Sequence, residues 1–157
     1  MCIRGLKSVV LLVWMTQAVV TTALADGEVV PEHEKVITSQ LGINGPTDTH
    51  GIAASEILGS VGLGDDFPSL QGRSLRARRV TISPGGVVGV HQHDARPGVL
   101  YMLEGELVEV RSDIEGAISR KKGDTSFEKG GVIHWWRNDS KKVATALVVD
   151  IVPDNLK

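Results

Sequence analysis

Two histidines two positions apart, His91 and His93, are the residues of this sequence best placed for metal chemistry. In a β-strand, side chains at positions i and i+2 leave the same face with roughly 6–7 Å between their Cα atoms, so two imidazoles there can converge on one ion. The stretch before them consists mainly of valines and glycines after Pro84-Gly85, which favours a strand entered through a turn. Two surface histidines would give the same pattern, so the pair alone leaves the metal hypothesis open.

A third histidine, His134, lies in a second glycine-rich stretch further along the chain. Together the two stretches resemble the two motifs of the cupin family, a glycine before a His-X-His pair and then a block of Gly, Gly, His and Asn. The matching residues of the first motif are Gly85, His91, His93 and Gly105. Those of the second motif are Gly123, Gly131, His134 and Asn138, with Lys129 where the family usually has proline. The resemblance implies an all-β jelly-roll β-barrel (a double-stranded β-helix) with the three histidines as metal ligands, but no particular reaction, because one fold hosts many chemistries.

The sequence departs from the family pattern at one ligand position. The first motif of the family normally supplies a glutamate ligand a few residues after the second histidine. Counting back from Gly105, that position falls on Gly98, and the next glutamate is Glu104. The site therefore resembles the three-histidine minority of cupins rather than the majority with three histidines and a glutamate.

Three neutral imidazoles suit a borderline divalent ion such as Fe, Zn, Cu or Ni, and they leave a coordination position open for an anion, water or dioxygen. Three-histidine cupins include non-haem iron dioxygenases, so the resemblance favours Fe(II). Two functions follow: a dioxygenase-type oxidoreductase acting on a small anionic substrate, or a non-catalytic module that binds a metal or a small ligand. No general acid or base can be assigned from the sequence, and the catalytic residues stay unknown.

The elements that must position the histidines are short strands separated by glycine-rich turns, a pattern typical of an all-β sandwich or barrel. No internal repeat is present, which predicts one cupin unit. The predicted strands are Ala54–Ser60, Ser74–Ser83, Val87–His93, Val99–Leu103, Glu106–Ser112, Ala117–Arg120, Thr125–Phe127, Val132–Arg137 and Val143–Val152.

Strand alternation predicts which side chains surround the ion. Those expected to point inward with the histidines are Val87, Gly89, Leu100, Met102, Val132 and Trp136. Leu100 and Met102 are more simply explained as core residues. Trp136, two positions from a ligand, is a candidate for substrate binding.

Two groups of arginines have open interpretations. Arg96 lies in the short connection after His93, where its guanidinium could bind an anion through two parallel hydrogen bonds or could pair structurally with Asp94 or Glu104. We predict substrate binding. Arg76 and Arg78 share one strand face, and we predict a solvated face or a subunit contact for them, with ligand binding as the alternative.

Residues 1–25 have the three parts of a secretory signal peptide: a basic start, an apolar stretch and the small-X-small site Ala23-Leu24-Ala25. A retained membrane anchor is the rival interpretation, but the apolar stretch Ser8–Val20 is shorter than the ~20 residues needed to span a bilayer. The predicted organisation is a signal peptide over 1–25, an N-terminal arm over 26–50 with a short helix over Glu32–Leu41, and a cupin domain over 51–157. We expect a secreted or periplasmic protein with no stable membrane insertion after cleavage.

The composition of the chain bears on which partners it can bind. The chain has 157 residues, which suits one domain with a real core, and a formal net charge of −2, which gives no electrostatic case for nucleic acid. Its one cysteine, Cys2, falls in the leader, so disulfides cannot stabilise the mature chain. Small cupins commonly pair through an outer sheet, so we predict a homodimer that uses Trp135 and the apolar stretch Ala144–Ile151.

Overall fold

A computed structural model of the protein describes residues 30, 31, 34 and 44–156. The leader over 1–25 and most of the helix expected over Glu32–Leu41 lie outside these residues, and both stay predictions. The described chain consists of β-strands and two short 3₁₀ helices, Pro68–Leu70 and Asp154–Leu156. The strands are β1 (His50–Gly62), β2 (Arg73–Gln92), β3 (Gly98–Glu104), β4 (Glu106–Arg111), β5 (Ala117–Lys121), β6 (Thr125–Glu128), β7 (Ile133–Arg137) and β8 (Ala144–Pro153).

The strands pair antiparallel in the order β5-β4-β7-β2-β8-β3-β6, and β1 pairs with β2 outside this path. The long strand β2 pairs with β8 over its first half and with β7 over its second half. It therefore connects two parts of the sheet that face each other around a common interior. The predicted all-β jelly-roll barrel is confirmed.

Strand β2 corrects the prediction of two strands separated by a turn at Pro84-Gly85. The chain continues as one strand from Arg73 to Gln92 and bends where it exchanges β8 for β7. Gly85 has a φ of +74° there, a conformation that glycine adopts without a steric penalty. Its N–H donates to the Asn138 carbonyl, so the bend is tied to the end of β7.

A β-bulge in β2 overturns part of the predicted lining. Val88 pairs with Trp136 and His91 pairs with His134, so three steps along β2 match two along β7. The extra residue in β2 reverses which face of the strand the side chains before His91 point to. Val88 is consequently buried in the interior, whereas Val87 is only half-buried, so the inward orientation predicted for Val87 was wrong. Gly89 is buried, but a Cβ there would meet Thr47 in the segment before β1, so its predicted inward orientation was wrong too.

The interior is apolar over most of its length. Leu100, Met102 and Trp136 are buried in one cluster with strand residues from both halves of the barrel, as alternation predicted. Fully burying an aliphatic or aromatic side chain of this size stabilises a fold by about 1.5–3 kcal/mol. Val30, from the segment predicted to be an arm, is 2% exposed and belongs to the same cluster. This part of the arm therefore packs against the barrel.

The homodimer predicted to form through Trp135 and Ala144–Ile151 stays a prediction. Strand β8 lies between β2 and β3, and its outward side chains are half-buried. Trp135 is also half-buried, with the Arg137 guanidinium 5.2 Å from its ring centre. Within the described residues, no helix is long and apolar enough to cross a membrane.

Candidate metal centre

The three histidines predicted from the sequence meet at one point inside the barrel. His91 and His93 come from the end of β2 and its continuation, and His134 comes from β7 as the cross-strand partner of His91. One ligand nitrogen from each ring lies within 4.8 Å of the other two. All three side chains are buried, so the ring nitrogens are shielded from bulk water.

Hydrogen bonds at Nδ1 decide which nitrogen of each ring carries the proton. Each Nδ1 faces an oxygen that can only accept, so each Nδ1 must be the protonated nitrogen and each Nε2 keeps its lone pair. The acceptors are the Gly89 carbonyl for His91 at 2.8 Å, the Arg96 carbonyl for His93 at 3.0 Å, and Glu109 Oε1 for His134 at 3.0 Å.

The Nε2 atoms have no protein group to satisfy their lone pairs. His91 Nε2 and His134 Nε2 lie 3.1 Å apart, and the buried His93 Nε2 has no hydrogen-bond partner. Two facing lone pairs repel unless a cation lies between them. A shared proton would leave His93 unsatisfied, whereas a metal ion with bonds of about 2.1 Å to imidazole nitrogen satisfies all three. The donor set therefore fits a divalent metal ion.

Burial keeps these rings in the neutral form that metals bind. Burial lowers the pKa of His91 well below its ordinary value. The pKa of His93 falls to about 2, first because of burial and then because of the positive charge of Arg96. Both rings are consequently available as neutral ligands at any physiological pH.

Glu109 on β4 is fully buried and holds the His134 ring in place. Its Oε1 accepts hydrogen bonds from His134 Nδ1 at 3.0 Å, Arg111 at 2.9 Å and Ser126 Oγ at 2.7 Å, and its Oε2 accepts one from Arg120 at 2.9 Å. Burial alone would raise the pKa of Glu109, but the hydrogen bonds from His134 and Ser126 bring it down to about 2. An ionised carboxylate behind a ligand histidine fixes the ring orientation and makes the ring a stronger ligand.

Three arginines surround Asp150 on β8. Arg76 donates to both carboxylate oxygens at 3.1 and 2.9 Å, and Asp150 Oδ2 also accepts from Arg78 at 3.3 Å and from Arg96 at 3.0 Å. We call Arg76, Arg78 and Arg96 the arginine cluster. Burial alone would raise the pKa of Asp150, but the hydrogen bond from Arg76 and the charges of the arginine cluster lower it.

The arginine cluster overturns the prediction that Arg76 and Arg78 lie on a solvated or subunit-contact face. Their exposed fractions are 4% and 2%. They share the inward face of β2 with the apolar Val80, and a buried charge is tolerated there because Asp150 pairs with it.

Arg96 and Trp136, the two residues predicted to bind substrate, both border the same cavity. Arg96 pairs with neither acid considered from the sequence. Its Nε and Nη2 donate to Glu34 at 3.0 and 2.7 Å, and its Nη1 donates to Asp150. Trp136 packs edge-on against His134 with ring centres 5.6 Å apart. Substrate binding by either residue stays a prediction.

Glu128 at the end of β6 brings a second buried carboxylate to the histidines. It is 5% exposed, and its Oε2 lies 3.5 Å from His93 Nδ1, whose proton is already donated to the Arg96 carbonyl. Oε2 has no hydrogen-bond partner. Burial raises the pKa of Glu128.

The cavity beside the histidines is narrow, with about 30 Å³ open to the centre of a water molecule. Its walls are apolar over most of their area and polar only beside the histidines. The apolar lining consists of Val80, Ile82, Val88, Leu100, Leu107, Trp136, Ala146 and Val148. The polar lining consists of Arg78, His91, His93, Arg96 and Glu128. About 30 Å³ is room for one or two water molecules or for a ligand of a few atoms, between the polar histidine end and the apolar walls.

Gly98 lies on the inner face of β3 between two acids. It pairs with Glu128 on one side and Asp150 on the other. A Cβ at this position would lie 2.7 Å from the Val149 carbonyl oxygen, closer than a Cβ atom approaches an atom that is not bonded to it. The backbone here therefore has no room for a side chain.

Sequence reasoning missed Glu109, Glu128 and Asp150. A usable signal existed only for Asp150, because an acid in the middle of an apolar strand must be paired when it is buried. Glu109 and Glu128 gave no such signal, because each lies next to apolar residues that a sequence pattern would place inside instead. Val108 and Val110 are half-buried while Glu109 is buried, and Phe127 is 69% exposed while Glu128 is buried.

Comparison with known proteins agrees with this site. Residues 78–150 match the model of the cupin domain. A germin-like protein from Morus alba is 31% identical over 118 residues, which are 73% of this chain and 54% of the relative. Germin-like protein 1 from Brassica napus is 26% identical over 121 residues, 75% of this chain and 58% of the relative. The chain thus spans about half of the length of these relatives.

Among solved structures, the protein TT1209 from Thermus thermophilus is 31% identical, with a TM-score of 0.45 over 53% of this chain and 75% of that one. The family assignment rests on the matched domain and on the observed fold and histidine site. Residues 78–150 contain most of β2, all of β3 to β7, most of β8 and all three histidines. These residues form a cupin domain, which makes up just under half of the chain.

Proposed function

We propose that this cupin domain binds one divalent metal ion through His91, His93 and His134, and that the ion and the adjacent cavity together bind a small anionic ligand. Fe(II) is the favoured ion, with Zn, Cu and Ni as alternatives that the same donor set accepts.

The arrangement of the six ring nitrogens carries this proposal. Every Nδ1 is held by an acceptor, and every Nε2 is directed at the common point without a protein donor. Ligand histidines of metal proteins are oriented in this way by hydrogen bonds from their second nitrogen. Ordinary core histidines instead use both nitrogens in hydrogen bonds to the protein.

The proposed ligand is anionic because three neutral imidazoles leave the double positive charge of the ion uncompensated. The apolar walls favour a small molecule whose remaining atoms are uncharged. We assign Trp136 to the wall that positions this molecule beside His134. We assign Arg96 to the polar rim, where its positive charge draws an anion toward the site even though its N–H groups are paired.

A divalent ion at this site supplies Lewis acidity, and an iron ion also supplies redox chemistry. We therefore propose a dioxygenase-type oxidoreductase as the activity. The second candidate is a non-catalytic module that binds a metal or a small ligand. One observation favours it: Arg78 and Arg96, two of the polar groups around the cavity, are tied to Asp150.

Two further parts of the proposal concern the whole protein. We propose that it is exported, to the periplasm or the cell exterior, because of the signal-peptide pattern over residues 1–25. We also propose that it forms a homodimer. Neither part affects the assignment of the metal ligands.

Metal analysis of the purified protein tests the metal site. We expect one divalent ion per chain, and at least a 10-fold loss of affinity when any of the three histidines is replaced by alanine. His50→Ala is the matched control, because His50 is an exposed histidine at the start of β1. Full metal retention in all three ligand variants would contradict the proposal. Oxygen uptake by the iron-loaded protein, measured with small carboxylic acids and thiols, then separates an oxidoreductase from a binding module.

A further inference from the structure

Glu128 is a buried acid that lacks the kind of partner its buried neighbours have. Glu109 is paired with Arg111, and Asp150 is paired with the arginine cluster. In the described part of the chain, no lysine or arginine lies within ion-pair distance of Glu128, and its Oε2 accepts no hydrogen bond. Arg78 and Arg96 line the same cavity, and their charges act on Glu128 only from beyond ion-pair distance. A buried carboxylate oxygen without a direct partner is costly, so a cation closer to Oε2 would stabilise it.

The place for that charge is set by the surroundings of Glu128. The carboxylate lines the same cavity as His91 and His93, and Oε2 contacts the edge of the His93 ring at 3.5 Å. The opposite nitrogen of this ring, Nε2, is directed at the common point of the three histidines. A cation at that point is therefore close enough to compensate Glu128.

The neighbourhood of Glu128 leaves its side chain free to turn toward this point. Its cross-strand partner on β3 is Gly98, which brings no side chain to the inner face. Among the described histidines and acids, the three imidazoles are the group whose ligand atoms already lie within 4.8 Å of one another, so the carboxylate must rotate to join them. Glutamate has three rotatable torsions, and no hydrogen bond to Oε2 has to break first.

We propose that Glu128 is the fourth ligand of the metal ion, a carboxylate supplied by β6. The inference rests on the proposed three-histidine site and adds an anionic oxygen to it. Such a ligand compensates one of the two positive charges of the ion and raises the affinity for harder ions such as Mn(II), which favour carboxylate oxygen.

Glu128→Gln tests this ligand, because it keeps the shape of the side chain and removes its charge. Glu104→Gln is the matched control, since Glu104 is an exposed glutamate on the neighbouring strand β3. We expect E128Q to bind Mn(II) at least 10-fold more weakly than E104Q does, with a smaller change for Cu(II). We also expect a changed visible absorption spectrum of the Co(II)-loaded protein. The metal-free E128Q variant should be at least as stable as metal-free E104Q, because an uncompensated buried carboxylate has been removed.

The outcomes separate this inference from the function on which it rests. Equal Mn(II) affinities and identical Co(II) spectra in the two variants would overturn the inference and leave the three-histidine site intact. A metal-free E128Q that unfolds well below E104Q would overturn it too, because Glu128 would then be a structural partner. A parent protein that binds no divalent ion would overturn the proposed function and the fourth ligand together.

Discussion

Replacing Glu109 with glutamine is the change that best tests the metal centre without touching a ligand. The carboxylate accepts a hydrogen bond from His134 Nδ1 and pairs with Arg111 and Arg120. Glutamine keeps the size of the side chain and one acceptor oxygen. It removes the negative charge and points an amide N–H₂ group at N–H donors of the neighbouring side chains, which cannot accept a hydrogen bond.

Two effects follow, and their sizes can be worked out separately. Loss of the carboxylate behind a ligand histidine typically costs 10- to 100-fold in metal affinity, which is about 1.4–2.7 kcal/mol. Breaking a buried ion pair by removing one partner costs about 3–5 kcal/mol of folding stability. We expect the lower end of that range, because the Arg120 side chain is 20% exposed and water can solvate part of its charge.

The assay measures both effects on the same samples. Metal affinity is obtained by competition with a chelating dye, and the free energy of unfolding is obtained from denaturant titration of the metal-free protein. Glu106→Gln is the control. Glu106 lies on the same strand with the opposite orientation, and within the described part of the chain its carboxylate accepts one side-chain hydrogen bond, from Ser119 Oγ at 2.6 Å in an exposed position.

Equal metal affinities in the two variants would refute the reasoning, whatever happens to stability. They would show that the His134 ring keeps its orientation and ligand strength without the charge of Glu109. A loss of folding stability without a loss of metal affinity would show that Glu109 acts only as a structural ion-pair partner.

Two further predictions concern the strands around the site. Gly98→Ala should lower stability by about 1–3 kcal/mol, because its Cβ would meet the Val149 carbonyl at 2.7 Å, and thermal unfolding that matches the parent would contradict this packing. Asp150→Asn should destabilise the fold by about 3–5 kcal/mol, because the arginine cluster loses its shared anion. The lowered pKa of Asp150 means that its contribution is present above the ordinary aspartate pKa of 3.8 and is lost as the pH falls below it. Acid unfolding curves of the parent and of D150N should therefore converge at low pH, and a constant separation would argue against the linkage.

The local chemistry of the sequence determined the elements that carry the ligands. The valines before His91 favoured a strand, and the spacing of His91 and His93 put both side chains on one face, because side-chain spacing along a strand is a local property. The glycines of the two motifs were also predictable. Gly85, Gly105, Gly123 and Gly131 all have positive φ, a conformation that other residues rarely adopt.

Alternation along the strands predicted the interior only where pairing stayed regular. It correctly placed Leu100, Met102 and Trp136 inside. It failed for Val87 because a bulge in β2 adds one residue opposite β7, and nothing in the local sequence distinguishes that bulge from regular pairing.

The sequence by itself determined the three histidines, the strands that present them and the absence of a side chain at Gly98. Only the tertiary structure decided which charged residues are inside. Arg76, Glu109 and Asp150 lie where a hydrophobic pattern would not place them, because each is paired with a residue of another strand. Arg76 pairs with Asp150 of β8, and Glu109 pairs with Arg120 of β5 and His134 of β7. Whether a buried charge is tolerated depends on its partners in space, and those partners are known only once the barrel has closed.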